Sequence, residues 1–207
     1  MILRLEFPID PRPKQRAIVT LRNRRGAIWD QVMTFTPAAT RAFEQEIRVR
    51  AQSEMNRLRL PMPLFPAPQP VYVVTTFHLP RFKTGAASKL EHPTTSADLD
   101  NLMKALWDSL GESRRKGELV RRGVLWTDDS QVTSSLDSKL FVAPGQQPRI
   151  SMVVMDREGL EQVYQSESES AIRRLLRQPG HGAASLALSP LVILIMSELA
   201  AQVATTR

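Results

Sequence analysis

Asp98-Leu99-Asp100-Asn101-Leu102-Met103-Lys104 opens the stretch on which the reading of this chain turns. The stretch continues through Ala105-Leu106-Trp107-Asp108-Ser109-Leu110. After a basic interruption it closes with Gly123-Val124-Leu125-Trp126-Thr127-Asp128-Asp129-Ser130-Gln131-Val132. Leu102, Ala105, Leu106, Ser109 and Leu110 recur at helical spacing, so one face of a helix is expected to be buried. Asp98 and Asp100 precede that face, where helix N-caps usually sit. Lys104 follows Asp100 by one turn, on the same side.

A hard divalent cation takes oxygen ligands and gives up its water reluctantly. Carboxylates from separate elements can hold such an ion and leave positions for water and a phosphate oxygen. The ion can then polarise the phosphoryl group and lower the pKa of a bound water. A lysine nearby can neutralise charge that grows on the phosphate. The structural alternative is plain: Asp98 or Asp100 caps a helix, Lys104 pairs with Asp100 and Asp108, and Asp128-Asp129 makes a turn.

Composition narrows the choice. The chain has 207 residues, enough for a single domain with a core. Cysteine is absent, which excludes disulfides and thiolate metal sites. Three widely spaced histidines, His78, His92 and His181, argue against a zinc centre or a histidine-based nucleophile. Oxygen-ligated Mg²⁺ or Mn²⁺ remains. A formal charge of +7 suits a polyanionic partner, although basic proteins also exist for solubility alone.

Outward from the central stretch, Leu3, Leu5, Phe7 and Ile9 alternate with polar residues and predict a half-buried strand. Lys14 and Arg16 follow Pro11-Arg12-Pro13 in a loop, as candidate phosphate contacts. Ala17–Leu21 and Ala27–Met33 read as two strands around Asn23-Arg24-Arg25-Gly26, a hairpin signal. Thr36-Pro37 starts a helix whose stripe Phe43, Ile47, Ala51, Met55 and Leu58 faces a core. Five prolines between Pro61 and Pro70 predict an extended connector with little internal hydrogen bonding. Val71–Leu79 is β-branched and aromatic, a central strand. A polar, basic loop then leads to Asp98.

Five basic residues fall in the nine positions from Arg114 to Arg122. Gln131–Val142 and Arg149–Met155 alternate as strands, with Lys139 on the first as a further phosphate-binding candidate. From Asp156 the chain turns acidic, as a linker or short helix. A last helix is expected over Leu191 to about Ala204. Its unbroken apolar run is too short for a membrane span, so none is expected. Its largely apolar circumference calls for cover, from this core or from a partner.

The order D-L-D-N-L-x-K, then D-x-L, then W-x-D-D-S-Q-V resembles the RusA family of Holliday junction resolvases. Pro11–Arg16 and Thr36-Pro37 look like that family's opening. The likeness spans the N-terminus to the strand near Met155. It implies an α/β (α+β) fold: one domain over 1–156, with a mixed sheet of five or six strands and helices packed against it. A helical extension over 157–207 follows. It further implies Mg²⁺-dependent cleavage of four-way DNA junctions by a homodimer, in recombination and repair. Asp98, Asp100 and Asp129 would be the metal ligands, with Lys104 assisting catalysis. The family's join after the helix is shorter than the run Glu112–Gly123, so Arg114, Arg115 and Lys116 are expected to add DNA contacts particular to this chain. The N-terminal run carries a charge and does not read as a signal peptide, so a cytoplasmic protein, bacterial or prophage-encoded, is expected. The rival readings are a nuclease of flaps or forks, and a DNA-binding module whose acidic cluster is only structural.

Overall fold

A computed structural model describes residues 1–22, 31–81, 93–94, 97–115, 117–143 and 145–166, with the backbone alone at 18–22, 31–35 and 114–115. The tip of the first hairpin, the basic loop over 82–92, Lys116 and everything from 167, including the expected last helix, lie outside the described residues.

Four strands form the central sheet, in the order β1 (Ile2–Phe7), β8 (Arg149–Met155), β4 (Val71–Leu79) and β7 (Val132–Phe141). β8 runs antiparallel to both β1 and β4, while β4 and β7 are parallel, so the sheet is mixed. The expected five or six strands reduce to four because the others pair off as two-stranded hairpins. β2 (Ile18–Arg22) pairs with β3 (Gln31–Phe35), and β5 (Ser113–Arg115) with β6 (Glu118–Arg121). Of the second strand expected over Ala27–Met33, the described part is Gln31–Phe35, two residues longer at its end than expected.

Alternation in β1 buries Leu3, Leu5 and Phe7 and exposes Arg4 and Glu6. Val73 and Phe77 of β4 and Ile150, Met152 and Val154 of β8 join the same core. Two helices close it. α1 (Ala38–Arg57) contributes Phe43, Ile47, Ala51 and Met55, each four residues after the last, which is one helix face. α2 (Leu99–Leu110) contributes Leu102, Ala105, Leu106 and Leu110. Burying a side chain such as Leu106 contributes roughly 1.5–3 kcal/mol.

Pro37 takes the N-cap position of α1, one residue later than a Thr36 cap would require. At its other end Leu60 N–H reaches Met55 O and Arg59 N–H reaches Asn56 O, a Schellman closure. It puts Arg59 at φ 56°, a conformation usually left to glycine.

The proline-rich connector is more than a spacer. Leu64 and Phe65 are apolar enough to be drawn into the core, and their N–H groups donate to Val124 O and Leu125 O. On the sheet's other face, a helix over 157–166 (α3) lays Leu160 beside Tyr72 and Met155. The segment after Asp156 thus includes a helix that packs on the sheet.

Candidate active site

Parallel strands need a crossover, and α2 lies in the one from β4 to β7. It runs back against the strand direction, which places its two ends at opposite ends of the sheet. The N-terminal end lies near the far end of β7, where Lys139 Nζ donates to Ala97 O at 2.9 Å. At the C-terminal end Val124 N–H donates to Leu110 O (2.8 Å) and Glu112 N–H to Thr127 O (3.3 Å). Gly123 sits in that tight return. A Cβ there would fall 1.9 Å from Trp126 O, so only glycine fits.

Asp98 is the N-cap residue of α2, but its carboxylate makes no capping bond and remains exposed. Asp100 lies in the first turn and pairs with Lys104 at 3.1 Å. That hydrogen bond holds the Asp100 carboxyl below the usual carboxylate range. Both side chains are mostly exposed, so the pair contributes little to stability. The contact with Asp108 that the structural alternative allowed Lys104 is taken instead by Lys14, whose ammonium pairs with the Asp108 carboxylate. Lys14 N–H also donates to Asn101 O, which straps the N-terminal loop along α2. Arg16 is exposed.

Asp129 opens a short 3₁₀ turn, Asp129–Gln131, immediately before β7. Asp128 caps that turn by accepting from Ser130 N–H at 2.9 Å; the Ser130 hydroxyl first, and then this N–H, hold its carboxyl low. Both aspartates are exposed, and Asp128 is the one whose carboxylate caps the turn. Gln131 carries the greatest number of bonds here and was not singled out by its sequence context. It is 7% exposed. Its Oε1 accepts from Thr127 N–H (2.9 Å) and Asp128 N–H (3.0 Å). Its Nε2 donates to Phe65 O (3.1 Å) and Gln69 O (2.9 Å). One buried amide thus fixes the aspartate turn to the proline-rich connector. The signal was available in Asp128-x-x-Gln131, which is a capping-box spacing.

α2 has 12 residues and is therefore about 18 Å long. Asp98 and Asp100 start it, and Asp129 lies just past its end. Among the described residues no three His, Cys, Asp or Glu side chains are grouped closely enough to hold one ion. The structure thus brings Asp98, Asp100 and Lys104 together, with Lys139 reaching Ala97 beside them, and leaves Asp129 at the other end of α2.

Two further groups complete the electrostatics. Asp137, two residues before Lys139 on β7, accepts from Ser135 Oγ at 2.7 Å. Burial pushes its carboxyl up, and the serine bond works against that shift. Arg48 of α1 is 5% exposed and donates to Ser109 O at 3.2 Å and to Arg122 O, while Arg121 donates to Asp108 O. Two guanidinium groups therefore meet carbonyls at the C-terminal end of α2, where the helix dipole favours positive charge.

A small α+β domain thus exposes two carboxylates and a lysine on one helix start, in a chain of +7 formal charge. The family model described as endodeoxyribonuclease RusA matches residues 8–155, and the chain belongs to that family. No curated protein matches the chain. Among the described residues no helix is long and apolar enough to cross a membrane.

Proposed function

We propose that this endonuclease resolves four-way DNA junctions as a Mg²⁺-dependent homodimer in recombination and repair. The observation that carries the reading is the exposed α2 start, where Asp98 is not spent on capping and Asp100 is already paired with Lys104. The donor set fits a hard cation: it is anionic, all oxygen and open to solvent. Asp98, Asp100 and Asp129 would hold Mg²⁺, or Mn²⁺ in its place. When bound, the ion supplies a polarised phosphoryl oxygen and a more acidic water.

The chain's own residues supply the rest. Lys104, one turn along from Asp100, meets the scissile phosphate in this reading and balances its developing charge. Lys139 holds the carbonyl before Asp98 and so sets the entry to α2. A single chain offers Asp98 with Asp100 at one end of the helix and Asp129 at the other. Two copies related by a two-fold axis can bring the partner's Asp129 to the Asp98–Asp100 end, and the reciprocal pairing then follows from symmetry. A junction with two strands to cut matches such a pair of sites.

The deciding assay offers a synthetic four-way junction, a flap, a fork and a matched duplex, each with and without Mg²⁺. Paired cuts in the junction alone, only with metal, are expected. Equal cutting of flaps or forks would make the chain a general branched-DNA nuclease, and binding without cutting would make it a binding module.

Two substitutions separate catalysis from affinity. Lys104→Ala is expected to lower the cleavage rate by about 10²-fold or more while junction affinity changes little. Arg114→Ala with Arg115→Ala is expected to do the reverse. It weakens binding and flattens the log-affinity against log-salt slope by about two units, one per lost phosphate contact. An unchanged slope would remove both arginines from the interface.

A further inference from the structure

The β5–β6 ribbon sits on the domain in an unusual way. Its base is held firmly: Arg121 and Arg48 donate to carbonyls at the end of α2, and Glu112 N–H donates to Thr127 O. Among the described residues nothing covers its outer strand. Glu118, Leu119 and Val120 are all exposed, Leu119 by 50% and Val120 by 64%. Val120 is the most exposed large hydrophobic side chain among the described residues. The pairing also slips at this point. Arg114 faces Leu119 and Ser113 faces Arg121, which leaves Val120 as the extra residue of a bulge. Bulges bend a strand and re-aim its side chains. The turn at the tip passes through Gly117 at φ +83°, next to Lys116 in sequence.

Two adjacent exposed apolar side chains on a ribbon whose strands include Arg114, Arg115 and Arg121 form a particular combination. A basic ribbon alone would serve for phosphates. An apolar pair alone would suit a protein surface. The charge selects a polyanion, and the apolar pair then meets what a polyanion offers that is not charged, the face of an unstacked base. Proteins that kink or open duplexes insert aliphatic side chains between base steps in this way, and the cost of unstacking falls where pairing is already interrupted.

We infer that the β5–β6 ribbon is a branch-point wedge, with Leu119 and Val120 packing against bases opened at the centre of a DNA junction while the flanking arginines grip the adjoining phosphates. This rests on the branched-DNA reading above and deepens it. The ribbon leaves the domain at the Asp129 end of α2, so the wedge and one component of the proposed metal site are carried on the same rigid base.

The test uses the full-length protein and a four-way junction carrying 2-aminopurine at the branch point, in EDTA so that no strand is cut. Wild type is expected to raise the fluorescence as the base unstacks. Leu119→Ser with Val120→Ser, both on exposed positions, is expected to lose most of that rise and to keep its affinity for plain duplex. In Mg²⁺ the same variant is expected to cut the junction about tenfold more slowly, the effect of losing one favourable unstacking contact. A wild type that cuts the junction while the probe stays dark overturns the wedge alone, as does a double variant with the full signal. A double variant that sediments as a smaller species than wild type also overturns it and assigns the ribbon to contact between copies of this chain. A wild type that neither binds nor cuts the junction overturns both readings.

Discussion

Asp100→Asn is expected to abolish junction cleavage and to leave junction binding intact or tighter. The change keeps the side chain's shape, removes one ligand charge and relieves the repulsion between carboxylate and phosphate. Asp98→Asn and Asp129→Asn should behave alike in gel-shift and cleavage assays. Cutting by Asp100→Asn at close to the wild-type rate in Mg²⁺ would end its assignment as a ligand. Mixing is the sharper measurement, because Asp98 and Asp100 lie one helix length from Asp129. In a heterodimer of Asp100→Asn with Asp129→Asn, sites shared between subunits give one doubly impaired site and one intact site. Nicking activity is then expected to return on mixing two inactive proteins. If each site were built within one chain, both would be impaired and the mixture would stay inactive.

Gln131→Leu is expected to give the largest loss of stability among changes near the site, about 2–4 kcal/mol. Leucine has similar volume but strands four backbone groups: the N–H of Thr127 and Asp128, and the carbonyls of Phe65 and Gln69. A buried polar group left without a partner costs more than its bond contributed when made. Cleavage should fall by more than the loss of folded protein explains, since the turn that presents Asp129 loses its attachment. Urea unfolding gives the first quantity and a rate per folded molecule gives the second. An unchanged urea midpoint would show that the turn holds without the amide.

Much of the fold is local enough to be legible in the chain. β1, β4, β8 and α2 fall within a residue or two of where alternation and helical spacing place them, because each has one apolar face and a clear boundary. The basic run Arg114–Arg122 carries no such face. Its ladder is short and its outer strand exposed, so nothing in its hydrophobic pattern announces a hairpin; its anchorage comes from Arg48, more than sixty residues away in sequence. The connector Pro61–Pro70 reads as extended from its prolines. What it touches depended on Leu64 and Phe65 finding Val124 and Leu125, a contact between distant segments.

For the site the division is similar. The order of residues from Asp98 to Val132 was enough to point to the family, and to propose Asp98, Asp100, Asp129 and Lys104 for its chemistry, because those are choices of chemical group at fixed spacing along one helix and one turn. Spacing also put Lys104 beside Asp100, since residues four apart on a helix are neighbours whatever surrounds them. Only the tertiary structure decided where the pieces stand. A parallel pair of strands forces a crossover, the crossover sends α2 back across the sheet, and Asp129 is thereby carried to the end of the helix opposite Asp98. It also decided which partners the other charged groups take, with Lys14 on Asp108, Lys139 on Ala97 and Gln131 on Phe65 and Gln69. Those pairings join positions 42 to 94 residues apart. No local pattern can fix them, because packing the helices on the sheet brings such groups within reach of one another.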